Sequence, residues 1–295
     1  MFAKSGKLKP KSPFDFKQTL NFLNMVMSDD KFSGEESITR ALLVDGQIFA
    51  FKIINQGSVE EPLLNYDIYS HEKISKPVEN KLLDQIGFYL SLNDDLKPFY
   101  DLSKEDPVFQ EIIKNLYGFH HPKFLSPFES ACWAVISQRT NMKFAYRILQ
   151  DLINLLSRRI DIDGTVYKAF PDPRQILEIE NEDLNSILKN KRKTIYLKEI
   201  SGAFQTTDLD FLKKSSSEDL KNWLLDIKGI GEFSAELELI RGFGRMEILP
   251  THDKRLLSCF KNIYGENKNK NDLIKYSNRY NEYKGYWALY MRVTC

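Results

Sequence analysis

Cysteine is scarce in this chain. There are three, Cys132, Cys259 and Cys295, and they lie far apart. They cannot supply a four-cysteine zinc or iron–sulfur site from this chain alone. Cys132 and Cys259 sit among apolar neighbours and read as buried free thiols, which fits a reducing compartment. Long apolar runs are also missing: none approaches the ~18 residues that a membrane span needs. The N-terminal stretch MFAKSGKLKPKSP carries four lysines and no apolar segment, so it is not a signal peptide. It reads as a disordered basic tail. Net charge is almost absent, with 42 Lys and Arg against 41 Asp and Glu, or +1. That excludes a histone-like or polybasic protein. It does not exclude a DNA-binding enzyme, because only the charge close to a phosphate matters. No repeat of roughly 20–50 residues is visible.

What is present is an ordinary globular composition over 295 residues, 42% apolar and 28% charged. That length favours two domains, each able to bury a core. Charge divides unevenly between them. Residues 1–118 hold 14 basic and 18 acidic side chains, a net of −4; residues 119–295 hold 28 and 23, a net of +5. The C-terminal part is the better candidate for an anionic partner.

The first half reads as a small α+β unit. Phe14–Val26 has helical apolar spacing. Ile38–Val44 and Gln47–Ile54 flank Asp45-Gly46, a strong hairpin signal. Leu63–Tyr69 reads as a third strand and Val78–Leu92 as a helix. From Pro107 onward helical periodicity takes over and no strand is expected. Helices are predicted at Pro107–Tyr117, Pro127–Thr140, Lys143–Leu156, Pro173–Leu177, Asp183–Leu188, Lys191–Phe204, Ser217–Leu225, Phe233–Arg241, His252–Tyr264 and Asp272–Met291. Ser126 with Glu129 reads as a capping box. The fold class is therefore α+β. It divides into a tail (1–13), an N-terminal antiparallel-sheet domain (14–105) and an all-helical domain (106–295).

The chemistry concentrates between Leu224 and Arg255. A helix ends near Leu225 and another begins at Glu232 or Phe233. Gly229-Ile230-Gly231 makes a tight turn between them. The first amides of the second helix then face outward, where the helix dipole favours an anion. That geometry suits one DNA phosphate held without reading sequence; an ordinary packing corner between helices would look the same. Asp253 follows Gly231 by 22 positions (253 − 231), in Pro250-Thr251-His252-Asp253 at the start of an amphipathic helix. A carboxylate there suits a reaction that develops positive charge, such as glycosidic cleavage through an oxocarbenium-like sugar. Thr251 or Asp253 could equally just cap the helix.

The order helix, Gly229-Ile230-Gly231 hairpin, helix, Pro250 loop, Asp253 resembles the helix-hairpin-helix DNA glycosylase superfamily, whose signature is a Gly/Pro-rich loop followed by an aspartate. Asp106-Pro107-Val108-Phe109, Pro127-Phe128-Glu129, Ile136-Ser137-Gln138, Phe170-Pro171-Asp172-Pro173, the Lys191-Arg192-Lys193 helix and Tyr280–Arg292 extend the likeness across about Leu92–Arg292. The N-terminal part resembles that of the 3-methyladenine DNA glycosylase II branch and, more distantly, of 8-oxoguanine glycosylases. Lys228 stands where the family often has proline.

The resemblance implies the following roles. Asp253 is the catalytic carboxylate. Gly229, Ile230 and Gly231, with Lys228, form the phosphate-gripping hairpin. Leu225, Ile227 and Ile230 offer backbone carbonyls to a monovalent cation (Na or K); no other cofactor is required. Arg139, with the adjacent Gln138, fills the gap left when a nucleotide is flipped out. Phe233 occupies the position where bifunctional members carry a Schiff-base lysine, which implies a monofunctional enzyme. Too few cysteines follow Asp253 for the iron–sulfur branch.

Alkylated purines such as 3-methyladenine and 7-methylguanine are cationic or electron-poor and stack on aromatic rings. Phe119, Trp133, Phe233, Tyr286 and Tyr290 are the candidate pocket residues. Leu237 and Lys254 depart from the bacterial alkylbase pattern, so the pocket is not a copy. His252 could contact the backbone or tune Asp253, and His120 and His121 sit at the domain junction. Lys191, Arg192, Lys193, Lys228, Arg241 and Arg245 are candidate phosphate contacts. The expected partner is double-stranded DNA with a damaged base, bound by a monomer away from any membrane. The expected site is the cytoplasmic nucleoid, or the nucleus in a eukaryote. Two other readings stay open: a glycosylase for oxidised or deaminated bases, and a non-catalytic, structure-specific DNA-binding protein.

Overall fold

The computed structural model describes residues 1–26 and 36–295. Four strands form one antiparallel sheet in the order β1-β4-β3-β2: β1 (Phe2–Leu8), β2 (Ser37–Val44), β3 (Gln47–Asn55) and β4 (Leu64–Ser70). The β2–β3 turn is Asp45-Gly46, with φ of 50° and 75°. That is the left-handed pair a two-residue hairpin requires. Alternation then sorts the side chains. Leu42, Val44, Phe49, Phe51 and Ile53 face a core shared with α1 (Phe16–Val26) and α2 (Lys76–Tyr89).

The remaining helices follow in order. They are α3 (Lys97–Ser103), α4 (Pro107–Asn115), α5 (Pro127–Ser137), α6 (Met142–Leu156), α7 (Pro173–Glu178), α8 (Asn181–Leu188), α9 (Lys191–Thr206) and α10 (Leu209–Lys214). Then come α11 (Ser217–Asp226), α12 (Glu232–Arg241), α13 (Lys254–Tyr264), α14 (Lys270–Ser277), a 3-10 turn (Asn278–Tyr283) and α15 (Lys284–Thr294). They bury two cores. One is aliphatic, with Val135, Leu149, Leu197, Leu224 and Leu239. The other is aromatic, with Phe99, Phe109, Phe260, Tyr280, Trp287 and Tyr290. Helix α12 joins them, sending Leu239 into the first and Ile240 into the second.

Several expectations need correction. The lysine-rich N-terminus is a strand, not a disordered tail: Phe2–Leu8 pairs with β4 along its length. Lys4 Nζ reaches Glu79 Oε2 at 2.7 Å, and Ser5 Oγ donates to Asp67 Oδ1. Strands do not end at Pro107 either. The ribbon β5 (Arg159–Ile162) and β6 (Thr165–Lys168) turns on a second Asp-Gly pair, Asp163-Gly164. Its Ile160, with Ala169, covers the far face of the sheet at Ala41, Ile48 and Ala50. Helix α3 packs Phe99 on Phe109 and Tyr280, so it shares the aromatic core rather than the sheet's. The single helix expected at 272–291 is broken, with Asn281 at φ 44°. Ser126 does cap α5 by accepting from Glu129 N, while the Glu129 carboxylate lies 3.7 Å from Arg40. Cys132 is a buried free thiol, but Cys259 is not: it is disulfide-bonded to Cys295.

Glu79 ties the first strand to α2. It accepts from Lys4, from Tyr66 OH at 2.9 Å and from Lys76 Nζ at 3.2 Å. These bonds lower its carboxyl pKa to about 2, with Lys4 the largest cause. A lowered carboxyl pKa contributes stability above the unfolded value and loses it as pH falls through the folded one. Thermal melts of Glu79→Gln should therefore lie below wild type at neutral pH. The two curves should converge as pH falls from about 4.5 toward about 2. A gap independent of pH would contradict this role.

Candidate functional site

The hairpin lies between α11 and α12. Helix α11 closes at Ile227, whose amide donates to Leu224 O, and Ile230 N donates to Ile227 O at 3.0 Å. Gly229 has φ 106°, and a Cβ there would run into the Tyr196 ring. No other residue type fits without moving that ring. Gly231 is different. Its backbone is extended, at φ −106° and ψ −179°, and nothing lies within 4 Å of where a Cβ would sit. Its contribution is openness, since among the described residues no side chain caps the first amides of α12. They face solvent with the positive end of the helix dipole behind them. Lys228 is exposed at the tip of the turn.

Asp253 is the N-cap of α13 rather than a residue of its first turn. Its Oδ1 accepts from Arg255 N at 2.9 Å and Leu256 N at 3.2 Å. Arg292, from the last turn of α15, places Nε 3.3 Å from Oδ2. The carboxylate is mostly shielded, at 13% exposure. The helix-capping alternative is thus true of Asp253, and its second oxygen is paired with Arg292.

One residue links the hairpin to this carboxylate. Glu236 on α12 is 3% exposed, and its carboxylate takes three bonds from the loop before Asp253. Thr251 Oγ1 donates at 3.1 Å, His252 N donates at 2.9 Å, and His252 Nδ1 lies at 2.8 Å. His252 is therefore a loop anchor rather than a free polar residue. Glu232, one turn earlier on α12, pairs with Lys221 at 2.7 Å.

The other expected site residues divide. Arg139 is exposed on a turn with φ 49°, just past the end of α5. Gln138 faces the hairpin instead: its Nε2 donates to Gly229 O at 2.9 Å and Ser234 Oγ at 3.2 Å. Phe233 is 44% exposed in the first turn of α12. Trp133 is buried beside a narrow cavity that Phe124, Glu129, Tyr146 and Arg241 also line. Phe119, Tyr286 and Tyr290 are not pocket residues. All three are buried in the aromatic core. Tyr290 OH is spent on Phe119 O at 2.8 Å, and Tyr286 OH on Asp94 at 2.5 Å.

Half of the expected phosphate contacts also have other work. Lys193 is buried against the end of α5. Arg241 donates to Pro122 O and stacks 4.6 Å over Phe124. Arg245 donates to Lys213 O and Ser215 O. Lys191, Arg192 and Lys228 remain exposed. His120 and His121 are buried, with His120 bonded to Ser91 O and Pro13 O, so neither meets a ligand at the surface.

The HhH-GPD family model, described as "HhH-GPD superfamily base excision DNA repair protein", matches residues 132–280, half of the chain. The chain belongs to this superfamily. A DNA-3-methyladenine glycosylase of Bacillus subtilis (strain 168) is 25% identical over 289 residues, covering 94% of this chain and 93% of that protein. Among solved structures, the 3-methyladenine DNA glycosylase of Archaeoglobus fulgidus superposes with a TM-score of 0.84. It has 19% identity and covers 98% of this chain and 97% of its own. The 8-oxoguanine glycosylase/lyase of Clostridium acetobutylicum, in its apo-form, gives 0.69 at 14% identity, covering 99% and 97%. At these identities the structural likeness speaks for the HhH-GPD fold alone.

Sequence reasoning missed Glu236, Arg292 and the commitment of Gln138, since each is defined by a partner distant in the chain. Another missed group lies behind the hairpin. Glu238 is fully buried on α12, and neither carboxylate oxygen has a hydrogen-bond partner among the described residues. Burial pushes its pKa well above the usual range. A raised carboxyl pKa means the fold prefers the protonated acid, so stability falls as pH climbs above the unfolded value of about 4.5. Glu238→Gln should melt close to wild type near pH 5 and increasingly above it toward pH 8, by about 2–4 °C for each kcal/mol relieved. An advantage that shrinks with rising pH would show that Glu238 is charged in the fold.

Proposed function

We propose that the protein is a monofunctional DNA glycosylase that flips out and hydrolytically excises alkylated purines, acting as a monomer on double-stranded DNA. The observation that carries this reading is the Asp253 carboxylate, held at the mouth of α13 and tied through Glu236 to an uncapped hairpin helix. A pure binder gains nothing from that arrangement, because a carboxylate beside the DNA backbone repels phosphate.

The roles are those the resemblance implies, set on this geometry. The open amides after Gly229 and Gly231, with Lys228, grip one phosphate of the damaged strand. Arg139 enters the gap beside the orphaned base, where its planar guanidinium can stack and donate. Asp253 faces the deoxyribose. As the bond from C1′ to the base nitrogen lengthens, positive charge builds on the sugar, and the carboxylate stabilises it and orients the attacking water. Water adds at C1′, its proton is released, and the base departs with the bonding electrons. Arg292 shields one side of Asp253, which fixes the face the carboxylate offers.

Phe233 stands where a Schiff-base lysine would have to be, so the product is an abasic site with both strands intact. Its exposed ring offers the stacking surface that electron-poor alkylpurines favour. The B. subtilis and A. fulgidus relatives, both named for 3-methyladenine, support that substrate class. The carbonyls of Leu225, Ile227 and Ile230 would hold a monovalent cation if one binds the hairpin. Ile227 O accepts only Ile230 N among the loop bonds and keeps a second lone pair. Such a cation would add positive charge beside the gripped phosphate.

The test is base release from methylated duplex DNA by wild type and Asp253→Asn, with abasic sites scored with and without alkali. Wild type should release 3-methyladenine, with strand breaks appearing only after alkali. Asp253→Asn should lose about 10²–10³-fold or more of the rate, the scale for removing one charge-stabilising group. Release by both proteins alike would remove Asp253 from the chemistry. Breaks without alkali would contradict the monofunctional assignment.

A further inference from the structure

Lys193 is a buried cation that the reaction above does not use. It is 7% exposed on α9, whereas its neighbours Lys191 and Arg192 are solvated. Its Nζ donates to Ile136 O at 2.7 Å and to Thr140 Oγ1 at 2.6 Å. Ile136 is in the last turn of α5, where carbonyls lack helical partners and the dipole is negative. Thr140 Oγ1 donates in turn to Gln138 O at 3.0 Å, and Thr140 N donates to Ser137 O. From the other side, Gln138 Nε2 is bonded to the hairpin at Gly229 O and Ser234 Oγ.

Every residue around Arg139 is therefore pinned, while Arg139 itself is exposed and held at φ 49°. A non-glycine residue rarely adopts that conformation, and it persists only where the surroundings impose it.

We propose that Lys193 is a positioning residue for the Arg139 wedge. From inside the protein it braces the 137–140 turn, so that the arginine meets the duplex preformed and in fixed register with the phosphate-gripping hairpin. This rests on the glycosylase reading above, in which Arg139 fills the gap left by the flipped nucleotide. A wedge already held in its inserting conformation loses little freedom on binding, so the brace acts on damaged DNA and not on DNA in general.

The experiment measures affinity for two duplexes, one undamaged and one carrying a tetrahydrofuran abasic analogue, in wild type, Lys193→Met, Lys193→Arg, Thr140→Val and Arg139→Ala. Lys193→Met should weaken abasic-analogue binding about tenfold and undamaged-duplex binding less than about twofold, a difference typical of coupling within one bonded network. Its salt dependence on undamaged DNA should match wild type, because a buried lysine touches no phosphate. Thr140→Val, on a half-exposed residue, should reproduce part of the loss even if Lys193→Met proves unstable. Lys193→Arg should restore part of it. Lys193→Met added to Arg139→Ala should cost no more than Arg139→Ala alone.

Two results would overturn the proposal. One is equal loss on both duplexes with a salt slope smaller by about one, the mark of a phosphate contact. The other is an unchanged preference for the abasic analogue in both Lys193→Met and Thr140→Val. If wild type itself shows no preference for the analogue and releases no base, the glycosylase reading falls and takes the wedge with it. If wild type discriminates and the variants do too, only the role of Lys193 falls.

Discussion

Three hydrogen bonds to one buried carboxylate set the geometry on which the rest depends. Glu236 sits on α12, the helix whose open N-terminus is the proposed phosphate site. It grips Thr251 and His252, the two residues before Asp253. Hairpin and carboxylate therefore move together. In the proposed reading, gripping the DNA at one phosphate would place Asp253 at a set offset from that phosphate, which is the form positional catalysis takes. A loop attached only at its ends would lose that register through small rotations.

The same logic extends outward. Gln138 ties the 137–140 turn, the proposed wedge, to the hairpin, and Lys193 ties it to α9. Arg292 brings α15 against Asp253, so the aromatic core behind α15 supports the carboxylate indirectly. Each link is a polar side chain with its bonding capacity directed at a neighbouring element. Glu238 is the exception, a buried acid with no hydrogen-bond donor among the described residues, on the very helix that carries Glu236. The antiparallel sheet lies apart from these contacts. β1 forms one of its edges, and its far face is covered by the β5–β6 ribbon reaching back from the helical half.

What was legible in the sequence was local. The Gly229 turn, the Ser126 cap, the Asp45-Gly46 hairpin and Asp253 at a helix start each have a short-range signature, and each is where it was expected. The strand β1 was hidden because lysines at alternate positions look like a solvated tail. Only Glu79, 75 residues away, shows that Lys4 has a partner. The ribbon at Asp163-Gly164 carries the same turn signal as the first hairpin, but its strands are four residues each, too short to show alternation. Aromatic residues misled for a different reason. A ring that stacks on a base and a ring that fills a core have the same composition and the same helical spacing. Phe119, Tyr286 and Tyr290 proved to be the second kind. The brace and clamp residues were illegible because their partners lie 16 positions away for Glu236, 57 for Lys193 and 91 for Gln138. Bonds at that range exist only once the fold has formed.

The central claim is that Glu236 makes the hairpin and Asp253 one catalytic unit. It is tested most directly by single-turnover base release measured beside duplex affinity in Glu236→Ala. The account predicts that release falls about 10²-fold, the scale for misplacing a reacting group by about an ångström, while affinity for undamaged DNA stays within about twofold. Release at the wild-type rate would contradict it. So would losses of release and affinity in equal proportion, which would make Glu236 a support of the fold and not of the register.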